Sequence, residues 1–492
     1  MSKQKKRKIN KRFKNLIILA ILLIIAILLL YFVNSSAILP ALYKIIGSIS
    51  VILLVLLALY LLPKKKTTPF LKFTKNSLVY LIITSLAVVT FLLPQIETKI
   101  KMLQVEQPSN TDVVVSVIAL NDTEFTNVND FLDNEIAIQT NYDQEHQEYA
   151  INYLNSEVKG NVLIKNYPDF ETALADLKQG NIKFLLINES YINIMKENAN
   201  YTELLTKKTK IVYQTTQSVA YNNIQSDISV TENSFNILIL GQNQEGVSVS
   251  DNLLTDVIMI ASINPITKKI HLTSIPRDSY VSVPYDSEKD KITHVGVHGT
   301  SEMIETLEGL LEIKLDFFIR INYNSLIKII DALGGISVNN QYKFSGVFPT
   351  YDYVFEVGEL HLDGDMALAY ARERKDTPEG DISRNEHQRM VLSAIIDKVT
   401  SPSILVNFNQ IFEAVEGTYL TNITSNQIFS LLKMQLADLA SWELSSNGLT
   451  GELDMLPVAS TSDLASVVIL DESNLNLAQQ LINDTLNSSS DE

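Results

Sequence analysis

The sequence predicts an α/β protein in two folded parts, carried on three N-terminal transmembrane helices. Three observations lead there. The charge is split: of 40 Lys+Arg, 14 fall between Met1 and Pro94, where there is no acidic residue, and the other 26 are outnumbered by 56 Asp+Glu. The basic part contains three uncharged apolar runs, Leu16–Val33, Ile45–Leu62 and Ser77–Leu93. As helices each is about 25–27 Å long, close to the thickness of a bilayer core. Beyond the third run, strand-like and helix-like segments intermix, the pattern of layered α/β folds with a mixed sheet.

Each element follows in order. Residues 1–15 form a basic tail, and residues 16–94 hold the three spans. Lys3, Lys5, Lys6, Arg7, Lys8, Lys11, Arg12 and Lys14 precede the first span. Lys64, Lys65, Lys66, Lys72 and Lys75 lie between the second and third, but only Lys44 lies between the first and second. Basic loops stay in the cytoplasm, so the chain after about Gln95 is expected outside. The expected location is the cell membrane, with several passes, the N-terminus cytoplasmic and the bulk extracellular. Three runs without a small-residue cleavage site argue against a signal peptide. An acidic bulk and a tail of about 15 residues argue against nucleic acid as a partner. The absence of cysteine excludes disulfides, a thiol nucleophile and Cys-ligated metal.

Residues 95–228 are expected to form a small accessory α/β domain. Its strands are Val113–Leu120, Glu135–Thr140, Asn161–Lys165, Lys183–Asn188 and Lys208–Thr215; its helices are Asp143–Val158 and Glu171–Lys178. It contains no catalytic motif, and its carboxylates read as solvated surface. The polar stretch Asn222–Glu232 marks a boundary. Residues 229–480 are expected to form the main domain and residues 481–492 a polar tail. Phe235–Leu240, Val257–Ile263, Ile270–Ile275, Asp316–Asn322 and Ile336–Asn339 read as strands. Ser301–Ile313 and Asn324–Leu333, the latter closed by Gly334-Gly335, read as helices, with Ser425–Leu439 and strand-like Leu453–Val458 following.

Clustered arginines in an acidic domain need a chemical reason. In Arg372-Glu373-Arg374, an extended chain would point both arginines to one side. Ser383-x-x-Glu386 reads as a capping box opening a helix to about Val399, with Arg384 in its first turn and Gln388 on the same face. Guanidinium groups and unpaired amides at a helix N-terminus suit a phosphate or diphosphate; the competing reading is a solvated helix end. Asp251 and Asp256 precede one strand and Arg277-Asp278 follows the next, so pairing of the two would bring carboxylate and guanidinium together. That edge would be either a Mg²⁺ or Mn²⁺ site or a plain salt bridge. Lys291 is a further candidate phosphate contact. His294 and His298 have metal-ligand spacing, but Gly296 and Gly299 favour a loop.

Leu254-Thr-Asp-Val-Ile-Met-Ile-Ala-Ser-Ile-Asn-Pro, Ser274-Ile-Pro-Arg-Asp-Ser-Tyr, Asp331-Ala-Leu-Gly-Gly-Ile, Ala369-Tyr-Ala-Arg-Glu-Arg and Gly380-Asp-Ile-Ser-Arg-Asn-Glu-His-Gln, in that order, resemble the LytR-CpsA-Psr (LCP) family. The spans and extra domain resemble its CpsA-type capsule proteins. The resemblance implies an α/β/α LCP domain and a Mg²⁺-dependent phosphotransferase. Such an enzyme moves a glycopolymer, here capsular or exopolysaccharide, from undecaprenyl pyrophosphate to peptidoglycan. Wall teichoic acid is the second choice of polymer. It further implies that Arg277, Arg372, Arg374, Arg384 and Gln388 hold the pyrophosphate and that Asp256 serves metal binding and catalysis. Asn243 and Leu254 stand where the family often has Asp and Arg, and Asp251 is the expected substitute metal ligand. Capsule polymerisation and export proteins are expected as further partners. The alternative is a non-catalytic binder of lipid-linked glycan that assembles or regulates the capsule machinery.

Overall fold

The computed structural model describes residues 3–36, 39, 41–62, 68–101, 110–141, 143–220, 224–242, 249–348, 351–401 and 419–489. They divide into two compact units, residues 1–105 with 424–440, and residues 106–423 with 441–492.

The first unit contains α1 (Lys3–Ser35), α2 (Ala41–Leu61) and α3 (Pro69–Lys101). Leu22, Ala26, Leu29 and Val33 recur at helical spacing on α1 and pack against Val51 and Ala58 of α2 and Val79, Ile82 and Leu86 of α3. Outward faces are equally apolar: Ile24, Leu53, Phe73 and Phe91 are all exposed. A helix apolar on all sides suits lipid rather than water, and all three helices are long and apolar enough to cross a membrane. The helix Ser425–Asp438, opened by a Thr424–Gln427 capping box, groups with this unit and packs against α3. In sequence it falls within the span 229–480 expected for the main domain.

The second unit begins with the accessory domain. Strands β1 (Asn110–Leu120), β2 (Ile136–Gln139), β3 (Ile164–Tyr167), β4 (Phe184–Asn188) and β5 (Thr209–Ala220) form a mixed sheet in the order β3-β2-β4-β1-β5. Helices α4 (Gln144–Val158), α5 (Phe170–Gln179) and α6 (Glu189–Glu197) cover it. Val297 and Leu254, from the main domain, pack into the cluster around Phe170, Tyr191 and Met195.

The main sheet uses β6 (Phe235–Gln242), β7 (Thr255–Asn264), β8 (Lys269–Ile275), β9 (Phe317–Asn322), β10 (Tyr419–Thr421) and β11 (Glu443–Gly448). Its order is β10-β9-β6-β7-β8-β11; β9–β6 and β8–β11 are parallel, and the remaining pairs antiparallel. Side chains alternate along each strand. Leu238, Leu240, Ile258, Ile260 and Phe318 face α7 (Thr300–Leu311) and α8 (Glu472–Asn487), meeting Met303, Leu307, Ala478 and Ile482. Residues 481–487, expected in the polar tail, thus continue a packed helix.

The other face carries α9 (Tyr323–Ala332), α10 (Gly364–Arg372) and α11 (Asp381–Thr400). These helices form their own core with the small strands Ile336–Asn340, Phe344–Val347, Asp352–Phe355 and Gly358–Leu362. Between them and the sheet lies a cavity of about 500 Å³. The α/β/α layering is as predicted.

Candidate active site

The cavity is apolar along most of its length and cationic at one end. Ile239, Val257, Met259 and Ile321 line it from the sheet, and Leu326, Leu368, Val391 and Ile395 from the helices. These strand residues are the odd partners of the core residues just named, so one alternation builds both the core and the cavity wall. Gly241 lets β6 and β7 approach: a Cβ there would stand 2.8 Å from that of Val257.

Antiparallel register assembles the polar end. Ile258 pairs with Ile275. Asp256, two residues before the first, therefore faces Arg277, two residues after the second. Arg277 Nη1 donates to Asp256 Oδ1 at 2.7 Å. The predicted meeting of carboxylate and guanidinium occurs at this edge.

Arg372 and Arg374 both line the same end, but not along an extended segment. Arg372 is the last residue of α10, Glu373 is its extended C-cap, and Arg374 follows. The Arg372 guanidinium lies 4.6 Å from the Tyr323 ring centroid and 5.7 Å from that of Phe348, which fixes its plane. Arg384 sits in the first turn of α11, as expected, and Gln388 one turn on. The capping box is absent: Gly380 is the N-cap, and the Ser383 hydroxyl accepts from the Glu379 amide. Sequence spacing misplaces the helix start because Gly380, at φ +58°, lets the chain enter α11 three residues before Ser383. Arg384 Nη2 lies 2.7 Å from Asp381 Oδ1, while its Nε is buried without a hydrogen-bond partner among the described residues. Burial, opposed by Asp381, lowers the Arg384 pKa. Among the described residues, four arginines, Gln388 and a single carboxylate, Asp256, thus share one cavity end.

Two predicted residues lie elsewhere. Asp251 is buried, accepts from the Thr300 amide and hydroxyl, and stands 3.7 Å from Arg320 Nε. Its carboxylate caps α7 instead of joining Asp256. Lys291 is buried and does not line the cavity; its Nζ is 3.1 Å from Asp278 and 3.5 Å from Glu197. Asn243 lies outside the described residues, and Leu254 packs against the accessory core. The described residues contain no group of three or more His, Asp or Glu placed to hold a metal. Asp256, whose Oδ1 accepts from Arg277, is the one carboxylate among the described residues on the cavity wall, and an oxygen donor of this kind suits a hard divalent cation.

Sequence reading missed Tyr323 and Glu197. Tyr323 begins α9 directly after β9, and only that strand-to-helix junction marks it in the sequence. Glu197 ends α6 in the accessory domain, where carboxylates were expected to be solvated. Instead its carboxylate lies 3.5 Å from Arg277, 3.5 Å from Lys291 and 3.6 Å from His294. Burial raises the Glu197 pKa, but His294, Arg277 and Lys291 outweigh that and hold it at about 2. His294 is fully enclosed and hydrogen-bonded to Asp290 at 2.8 Å. Burial disfavours its charge, yet Asp290 and Glu197 raise its pKa to about 9. His298, the other member of the pair, stacks on Tyr285 at 3.8 Å.

The LytR_cpsA_psr family model matches residues 191–481, more than half of the chain. The protein is a member of this family. Among curated proteins, it is 35% identical over 199 residues to polyisoprenyl-teichoic acid–peptidoglycan teichoic acid transferase TagU of Bacillus subtilis, covering 40% of this chain and 62% of the relative. The match to TagU of Bacillus anthracis is 33% over 214 residues, covering 43% and 68%. The chain therefore spans less than two thirds of the first relative's length. Among solved structures, B. subtilis TagV is 27% identical with a TM-score of 0.45, covering 52% of this chain and 99% of that one.

Proposed function

We propose that this LytR_cpsA_psr protein is a membrane-anchored phosphotransferase. It joins a glycopolymer, delivered on a polyprenyl diphosphate, to peptidoglycan. The observation that carries this is the cavity: about 500 Å³ of apolar space ending in four arginines. An isoprenoid chain fits the apolar length, and guanidinium groups pair with phosphate oxygens at its end. The naming of relatives as polyisoprenyl-teichoic acid transferases supports the same reading. The basic loops support a cytoplasmic N-terminus and an external main domain.

In the reaction an acceptor hydroxyl oxygen bonds to the phosphorus bearing the polymer, and the bond from that phosphorus to the bridging oxygen breaks. The hydroxyl proton ends on the released lipid monophosphate, so charge is conserved. Arg277, Arg372, Arg374 and Arg384 offset the diphosphate charge and the charge developing on the leaving oxygen. Gln388, on the cavity wall with the arginines, donates to Ala371 O at 3.4 Å and ties α11 to α10 there. Mg²⁺ or Mn²⁺, held by Asp256 and the diphosphate, would supply further charge neutralisation.

The polymer is proposed to be capsular or exopolysaccharide, on the resemblance in domain architecture. Teichoic acid is the second reading, favoured by the names of the relatives. The test incubates the full chain in detergent with lipid-diphosphate-linked glycans of both kinds, peptidoglycan oligomers, and Mg²⁺ or chelator. Release of lipid monophosphate with a phosphodiester-linked product is expected, and the glycan consumed identifies the polymer. Tight lipid binding without product would favour the non-catalytic binder instead. Full activity in chelator would remove the metal from the proposal.

A further inference from the structure

A second cleft meets the cavity at the Asp256–Arg277 pair. Its volume is about 210 Å³, and it shares Gln242, Asp256 and Arg277 with the cavity. Its other walls differ in origin. Leu253 and Leu254 come from the main domain, whereas Asn193, Lys196 and Glu197 come from α6 of the accessory domain. We infer that this cleft is the acceptor-glycan subsite and that the accessory domain forms its outer wall through Asn193 and Lys196. The inference rests on the transfer reaction proposed above.

The geometry of displacement at phosphorus gives the reason. Attacking and leaving oxygens lie on opposite sides of the phosphorus. The leaving oxygen belongs to the lipid, whose chain runs into the apolar cavity. The acceptor must therefore come from the side away from it, past Asp256 and Arg277, where the second cleft opens. The cleft also has the chemistry of a sugar site. Asn193 offers an amide that both donates and accepts, Lys196 offers an ammonium donor, and Leu253 and Leu254 offer apolar surface for the C–H face of a pyranose ring, while the buried Gln242 amide is held by Ser250 and only shapes the floor. The acceptor is the one the proposed reaction requires, the N-acetylhexosamine glycan of peptidoglycan, whose hydroxyl and acetamido groups can pair with the Asn193 amide and the Lys196 ammonium. The Glu197 carboxylate is engaged by Arg277, Lys291 and His294, so it positions the wall and Arg277 and does not itself read the sugar.

The wall is anchored on both sides of α6. Ser190, in its first turn, donates to Asn252 O at 2.7 Å. Asn198, just past its end, donates to Asp463 at 2.7 Å. The Tyr191 ring meets His298 edge-on at 6.5 Å. These contacts tie the wall to the main domain, and an acceptor held there stays in register with the diphosphate.

The experiment uses the full chain in detergent and the variants Asn193→Ala, Lys196→Ala and their double. Transfer is measured while donor and acceptor concentrations are varied separately. The expected result is an acceptor KM raised about tenfold or more in the double variant, a donor KM within about twofold of wild type, and substantial recovery in Lys196→Arg. In parallel, calorimetry measures binding of β-1,4-linked N-acetylglucosamine tetramer to wild type and the double variant. Loss of that binding in the double variant alone supports the subsite even where wild type yields no product, an outcome that would defeat only the transfer reading. An unchanged acceptor KM, equal changes in both KM values, or tetramer binding unaffected by the double substitution would overturn the inference.

Discussion

His294 is expected to remain protonated well above neutral pH. It is 2% exposed, and burial alone would drive its charge off. Asp290, fully buried and 2.8 Å away, and Glu197, 3.6 Å away, reverse that and bring its pKa to about 9. Against an ordinary value of about 6.5, the rise corresponds to roughly 3 kcal/mol of folding stability. Because the folded pKa is the higher one, this contribution is complete below about pH 6.5 and is lost as pH rises through about 9. Glu197 is held down by the same contacts, so its shift restates part of this energy and does not add to it. The assay is a histidine-selective NMR titration of the full chain in detergent, with the six histidines resolved and His294 assigned by its loss in His294→Gln. Asp290→Asn should lower the midpoint most, since Asp290 is the larger support, and Glu197→Gln should lower it less. A wild-type midpoint at or below 6.5, or one unmoved by both substitutions, would refute the account.

Replacing Arg372 and Arg374 together by Ala should weaken lipid-diphosphate binding by about a hundredfold or more, at roughly 1.5–3 kcal/mol for each charged contact. Calorimetry would show this, and circular dichroism an intact fold. Val391→Trp, filling the cavity, should displace about one isoprenoid unit and cost roughly 3 kcal/mol, about a hundredfold, for undecaprenyl diphosphate. Affinity for inorganic diphosphate should remain within about threefold. Gly335→Ala should destabilise the main domain more than Gly334→Ala in thermal unfolding. Both sites have positive φ, +84° and +75°, worth about 1–3 kcal/mol each. Only at Gly335 would the new Cβ also meet His361 Nε2 at 2.6 Å.

Local periodicity carried most of the fold. The strands from Phe235 to Ile275 and the helix closed by Gly334-Gly335 lie within a few residues of their predicted bounds, because each is written in neighbouring side chains. The sequence motifs also contained the arginine set that the fold gathers at one cavity end. Their local backbone was harder to read. Arg372 ends a helix because Asp363 accepts from the Met366 amide at 2.9 Å and starts α10 nine residues earlier. The alternation of Arg372 and Arg374 carries no sign of that distant cap.

Glu197 was beyond reach for a different reason. Nothing around it in the sequence distinguishes it from a surface carboxylate, and its meaning comes from residues about 80 to 100 positions later. Once α6 docks, Arg277 has carboxylates on three sides: Asp256 at 2.7 Å, Glu197 at 3.5 Å and Asp278 at 3.7 Å. Burial lowers its pKa, but these charges raise it overall. A guanidinium so held is oriented before any diphosphate arrives, and one of its three supports belongs to the accessory domain. Loosening that domain should therefore reach the diphosphate end through Arg277 as well as the second cleft, even though none of its described residues lines the apolar cavity itself.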